Sequence, residues 1–291
     1  MLKTLKQARA AISLLNPDDI VSRARRPLDI GLVASSVAAY DEMEEYLLPP
    51  SLPLEERTYL LDRVHRVSDS NTPPSVDLIL FEEGIDRPNG TYTFHRGHPA
   101  DTAAEILKAN PDIELALARQ FPPFRHRVVE ETIHAVSTEN ALFALATALP
   151  DIVPSLIELP WAFTEFASDT VFLTGNQVRM AFLIAAAHGK EVGLVNQKGA
   201  VLSIAAGAFG WRALARELVG KIPLGGGLIP KAAIAYAGTY AVGKSLEFYY
   251  RGNGTMTRRE RRSLYRDALD RGREVAASAA QKSETQSPSE A

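Results

Sequence analysis

The chain has 291 residues, 46% of them hydrophobic and 23% charged, the proportions of a folded protein long enough for two domains. It contains no cysteine, which excludes disulfides, thiolate catalysis and cysteine-ligated zinc. The net charge of −3 conceals a block at 31–120 with seven basic and sixteen acidic groups, followed by 121–243 with nine of each and 244–291 with ten basic and seven acidic. That asymmetry places a division near residue 125.

Residues 1–26 form a basic amphipathic segment, MLKTLKQARAAISLL at its start, predicted to be an N-terminal helix. It lacks the apolar core and small-residue cleavage site of a secretory signal. Residues 27–123 read as a small α/β domain. Leu28–Ala34 is a short β-rich run, and Ser35 or Ser36 caps a helix that Pro49 and Pro50 stop after Leu48. A second helix is expected over Leu54–Val67, with Leu60, Leu61 and Val64 on its apolar side. Ser75–Phe81 reads as a buried strand and Tyr92–Phe94 as a weaker one. Helices follow over Ala100–Lys108 and Ile113–Gln120. Strands alternating with helices predict a layered α/β arrangement with parallel pairing.

A phosphate-binding loop would sit after the first strand. Aligning the phosphate-loop pattern there puts Ala34 and Ala39 at its glycines, Tyr40 at its lysine and Asp41 at the magnesium-binding hydroxyl. Without glycines the backbone amides cannot wrap a phosphate, and a ring and a carboxylate stand where a cation is needed. No nucleotide cofactor is therefore expected. His126, Glu130 and His134 recur every four residues on one helical face, and His95 and His98 flank a loop; neither set completes a metal site, so no metal is expected. No serine-nucleophile or zinc-protease motif occurs, and the residues predict no catalytic group and no enzyme.

From Phe124 the character changes to helix. FRHRVVEETIHAVSTENALFALATALP is one long helical pattern ending at Pro150, and Asp151–Pro160 is an apolar connection cut by prolines. Thr174-Gly175-Asn176 leads into a helix over Gln177–Gly189; Ala200–Val219 is another; Gly220–Gly227 makes a turn; Ile229–Tyr250 is the last apolar helix. The run Ile222–Gly243 approaches the roughly 20 residues that cross a bilayer. Gly225–Gly227 and Pro230 put its first third in a turn, so it reads as one arm of a glycine-hinged apolar hairpin spanning 200–243. Small residues at four-residue spacing, including Ala233, Ala237 and Ala241, allow close helix approach either in lipid or in a tightly packed core. Residues 251–280 form an arginine-rich helix, with eight arginines and three acids between 251 and 273, and 281–291 a disordered tail.

Gln177, Arg179, Met180, the Lys221-Ile222-Pro223 turn with Gly225–Gly227, Gly238 and Gly243 resemble the helical domain found after Era/TrmE-type GTPase domains and in YcjF-like inner-membrane proteins. The likeness covers about residues 125–250. It implies association with a membrane, at the cytoplasmic face of the inner membrane, and coupling to a GTPase module. Here that module would be the α/β segment, which departs from the GTPase pattern at Ala34, Ala39, Tyr40 and Asp41.

The fold expected is α+β: a small α/β layer domain followed by an all-helical domain, 124–250, with an apolar hairpin. The function expected is a non-enzymatic, membrane-associated scaffold or regulator. Its contact residues to lipid or a partner would be Trp211, Lys231, Tyr236, Tyr240, Lys244, Arg258, Arg259, Arg261 and Arg262. The tyrosines suit an interfacial belt, and the arginines suit anionic headgroups. Partners would be anionic lipid headgroups or a membrane protein, with a GTPase and a second copy of the chain as further interactions. Nucleic acid is not expected, because only Tyr265 interleaves with the arginines. Two alternatives stand beside this reading, a soluble helical interaction or oligomerisation module and a diverged GTPase-like switch.

Overall fold

The computed structural model describes residues 16–67, 75–147, 169–201, 228–252 and 254–286. Trp211, the 1–15 part of the N-terminal helix, the Asp151–Pro160 connection, the body of the 200–219 helix and the Gly220–Gly227 turn lie outside the described residues. The protein is α+β, mostly helical, with a small parallel sheet. It divides into two compact units, an α/β unit of residues 19–130 with 186–190, and a helical unit of the other described residues.

In the α/β unit, α1 (Asp18–Arg25) precedes β1 (Ile30–Val33), a run of β-branched and aliphatic residues buried on both sides. Ser36 then starts α2 (Val37–Leu47): its extended backbone brings Oγ within 3.2 Å of the Ala39 N–H, which it accepts. Ala39, Met43 and Leu47 recur every four residues and turn α2's apolar face inward. α3 (Leu54–Leu61) is shorter than its apolar pattern predicts, because Val64–Arg66 forms β2 instead of continuing the helix. The exposed edge of β1 decides this. Ile30 N–H donates to the Arg63 carbonyl at 2.8 Å and Val67 N–H to the Leu32 carbonyl at 2.8 Å, so strand pairing satisfies groups that a helix would leave open.

β3 (Leu78–Glu82) pairs with β1 on the other side, and β4 (Tyr92–Phe94) completes the sheet in the order β2-β1-β3-β4, parallel throughout. The strand order reverses direction between β1 and β3, which in open α/β sheets is where ligands collect, at the carboxyl ends of the strands. α4 (Pro99–Ala109), α5 (Glu114–Gln120) and the first part of α6 (Pro122–Ala146) close the unit, burying Ile106, Leu117, Phe121 and Phe124.

The helical unit contains the rest of α6, α7 (Asp169–Ala187), α8 (Leu228–Tyr250) and α9 (Arg258–Gln286). Two expectations are corrected here. α7 begins at Asp169, so Thr174-Gly175-Asn176 lies within the helix and not ahead of it. α9 continues to Gln286, into the stretch expected to be disordered. α8 and α9 run antiparallel and pack along much of their lengths, and the opposite sides of α8 meet α6 and α7. Ala232, Ala233, Tyr236, Ala237 and Ala241 are all buried. A helix apolar around its whole circumference belongs in a core of this kind. No helix among the described residues is long and apolar enough to cross a membrane.

Candidate functional site

The carboxyl end of the parallel sheet is occupied by the protein's own side chains. Glu82, the last residue of β3, places Oε2 2.8 Å from the Ser35 backbone N–H and 2.6 Å from the Ser35 hydroxyl, and accepts both hydrogen bonds. Ser36 Oγ accepts the α2 amide of Ala39. Arg96, two residues beyond β4, pairs with Glu42 at 2.7 Å and reaches Glu82 at 3.7 Å. A carboxylate thus sits on the loop amide that would face a phosphate. The Ser35 hydroxyl and then its N–H hold the Glu82 carboxyl below its ordinary range against a smaller opposing effect of desolvation, with Arg96 adding to the lowering.

Tyr40 and Asp41, two of the four residues that break the phosphate-loop pattern, are tied into the fold. The Tyr40 hydroxyl donates to the Val67 carbonyl at 3.0 Å, and the Arg66 guanidinium lies 5.3 Å from the centre of its ring. Arg66 also bonds Asp41 at 2.6 Å and Glu44 at 2.6 Å. Tyr40, Asp41 and Glu44 therefore fasten α2 to the end of β2.

At the opposite end of the sheet Asp29 accepts from Arg63 at 3.0 Å and pairs with His65 at 2.8 Å. Burial pushes the Asp29 carboxyl up, but the bonds from His65 and Arg63 outweigh it, and the net direction is down. Asp29 and Glu82 thus both titrate below their unfolded values of about 3.9 and 4.3. Their stabilisation is complete above those values and is lost as the pH falls through the lowered folded ones. Urea midpoints measured from neutral pH down to about pH 3 are expected to fall steeply for the wild type and less steeply for Asp29→Asn with Glu82→Gln. Parallel curves for the two proteins would show that neither carboxyl contributes.

In the helical unit the sequence-predicted contact residues separate into two groups. Tyr236 and Tyr240 are buried, and this corrects their assignment to an exposed interfacial belt. The Tyr236 hydroxyl hydrogen-bonds His134 Nδ1 at 2.7 Å, the Tyr240 ring lies 5.1 Å from the His134 ring, and Arg271 stands over Tyr240. His134 therefore serves packing between helices, and no group of three metal-ligating side chains occurs among the described residues. Lys244 bonds the buried carboxylate of Glu247 at 2.5 Å, which also accepts from Arg251 at 2.5 Å. Lys231 is exposed at the other end of α8, with Nζ 3.0 Å from the Thr147 hydroxyl.

Arg258, Arg259, Arg261 and Arg262 are all exposed, in the first turns of α9. The start of that helix is set by a reciprocal cap: Thr257 Oγ1 accepts the Glu260 N–H at 3.2 Å, and Glu260 Oε2 accepts the Thr257 N–H at 2.7 Å. The other side of α9 carries Tyr265, Ala268, Leu269, Gly272 and Ala276, all buried. Packing thereby fixes which face the arginines present. Four cations in the first turns of a helix oppose its dipole, and the spacings 258–262 and 259–262 set like charges side by side.

A buried polar cluster links α6 and α7 to α8. Asn140 Nδ2 donates to Thr239 Oγ1 at 2.8 Å, Asn176 Nδ2 to Asn140 Oδ1 at 3.0 Å, and Gln177 Nε2 to Thr239 Oγ1 at 3.2 Å. No role for Thr239 or Glu82 is legible in the sequence, because their partners lie 47 to 99 residues away along the chain.

Compared with known proteins, the chain matches no family model, no curated protein and no solved structure.

Proposed function

We propose that this protein is a non-enzymatic scaffold or regulator that lies against an anionic membrane surface, at the cytoplasmic face of the inner membrane, through the arginine face of α9. The observation that carries the reading is the exposed array of Arg258, Arg259, Arg261 and Arg262, aimed by the burial of the opposite face of the same helix. Those charges weaken the helix locally, and an anionic surface offsets that cost. Each arginine near such a surface contributes about 1 kcal/mol. The resemblance of residues 125–250 to YcjF-like helical domains supports the same environment and a GTPase as partner.

In this reading the α/β unit does no nucleotide chemistry. Glu82 holds the Ser35 amide and hydroxyl that a phosphate would need, and Tyr40 and Asp41 are engaged with Val67 and Arg66. Micromolar binding of GTP, GDP or ATP in calorimetry would overturn that half of the proposal. The burial of α8 favours apposition over insertion, and equally serves a module that packs against a protein partner.

Vesicle co-sedimentation tests the membrane half. The full chain is expected to bind phosphatidylcholine vesicles carrying phosphatidylglycerol at low salt, to release at high salt, and to ignore phosphatidylcholine alone. Arg258, Arg259, Arg261 and Arg262 together changed to Gln should weaken binding on the order of a hundredfold or more. Failure of the wild type to sediment with anionic vesicles, or equal binding by the variant, sinks the reading. Preferential binding to single-stranded RNA over those vesicles sinks it as well.

A further inference from the structure

An open cleft of about 560 Å³ lies in the α/β unit, between the second half of α2, the end of β4 and the starts of α4 and α6. Its chemistry is one-sided. Half of its ten lining residues are prolines, namely Pro49, Pro50, Pro99, Pro122 and Pro123. They offer ring carbons and carbonyl oxygens but no backbone N–H. The Tyr46 hydroxyl already donates to the Pro99 carbonyl at 3.1 Å, while its ring packs 5.3 Å from that of Phe94. Arg96, the cation of the lining, is held by Glu42 at 2.7 Å. Glu45 stands exposed at the rim and makes no hydrogen bond or ion pair with the described residues.

The Tyr46 hydroxyl is thus engaged and Arg96 is neutralised by Glu42, while carbonyl acceptors, one aromatic face and the Glu45 carboxylate remain available. A phosphate or carboxylate would find Arg96 already paired with Glu42, and Glu45 exposed at the same rim to repel it. A guanidinium would find a ring to stack on, a carboxylate to pair with and carbonyls to bond, a combination that suits planar arginine better than compact lysine. The same helix already holds one arginine in this way: Arg66 lies over Tyr40 and bonds Asp41 and Glu44. Tyr46, Glu45 and Glu42 present the same residue types further along α2, with a guanidinium still to be supplied beside Glu45. The cleft is larger than one side chain and open along its length, which suits an extended segment. The net charge of −9 over residues 31–120 steers a cationic one toward it.

We propose that this cleft binds an arginine side chain presented by an extended basic segment of a partner protein. The assignment goes beyond the headgroup reading and does not depend on it: the surface on α9 takes anions, and this one takes a cation.

The test is fluorescence polarisation of the full chain with labelled, end-capped five-residue peptides in which arginine, lysine or citrulline alternates with glycine. Binding should follow the order arginine, lysine, citrulline. Glu45→Lys, a surface change that leaves the melting curve in place, is expected to lower affinity for the arginine peptide about tenfold or more, and Tyr46→Leu to do likewise. Glu55→Lys, an equal change of charge on exposed α3, should leave binding within about twofold. Unaltered binding by Glu45→Lys overturns the proposal, and so does an equal loss in Glu55→Lys, which would reduce the effect to overall charge. Sedimentation of the chain alone is run alongside. Self-association that Glu45→Lys dissolves would put the arginines of a second copy in the cleft and overturn the assignment to a partner.

Discussion

Gly272→Ala is expected to destabilise the helical unit by about 1–3 kcal/mol, read as a lower urea midpoint followed by circular dichroism. The direction is opposite to the usual one. Inside a helix, alanine in place of glycine gains about 1 kcal/mol from backbone entropy alone. At Gly272 the added Cβ would lie 2.8 Å from the carbonyl oxygen of Ala233, 2.9 Å from its Cα and 2.9 Å from Cβ of Tyr236. Two of these three atoms are backbone, which cannot rotate away, so α9 must shift outward along α8. That shift loosens the contacts of Tyr265, Leu269 and Ala276, and the packing loss exceeds the propensity gain. Gly243 is met as closely, with Ile133 Cγ1 at 2.7 Å and Cγ2 at 2.8 Å, both held on the branched carbon of a buried side chain. Ser278→Ala, on the exposed side of α9, should stay within about 0.5 kcal/mol of the wild type. A Gly272→Ala protein as stable as the wild type would mean that α8 and α9 are not packed this closely.

This close approach also shows what was legible beforehand. The small residues of 229–243 correctly marked a place where backbones come together, but not the partner. Composition cannot distinguish a helix facing lipid from one surrounded by other helices, since both are apolar around the circumference. The expected partner was the 200–219 helix, outside the described residues; the partner seen is α9, whose buried stripe of Tyr265, Ala268, Leu269, Gly272 and Ala276 was hidden among arginines. In the α/β unit, β1, β3, β4 and the helices after them were readable from β-branched runs and caps. β2 was not. Leu60, Leu61 and Val64 fit a helical face, and the competing pull came from the unpaired edge of β1, a tertiary demand that no local pattern records. The Glu82–Ser35 contact, 47 residues apart, and the proline cleft, gathered from three separate stretches of the chain, were beyond a linear reading for the same reason.

Asn140→Leu is expected to cost about 2–4 kcal/mol, the second large effect. Asn140 is fully buried, and its amide works in both directions: it donates to Thr239 on α8 and accepts from Asn176 on α7. Leucine is close in size, so the cost arises less from a cavity than from the groups left behind. The Asn176 amide loses a buried acceptor, and each such orphan costs about 1–3 kcal/mol. Thr239 still accepts from Gln177 at 3.2 Å, which keeps the total below two full penalties. Combining Asn140→Leu with Asn176→Leu and Thr239→Val removes the fully buried orphans and leaves only the half-buried Gln177 amide without its Thr239 acceptor, so the triple variant should recover most of the loss. What it should not recover is a single arrangement of the three helices. Apolar faces slide past one another at little cost, whereas the Asn140–Thr239 and Asn140–Asn176 bonds are satisfied in one register only. Amide NMR spectra of the triple variant are therefore expected to broaden at residues of α6, α7 and α8 although its urea midpoint returns. Sharp spectra in the triple variant would reduce the cluster to a local hydrogen-bond contribution, and a stable single variant would remove it from the core altogether.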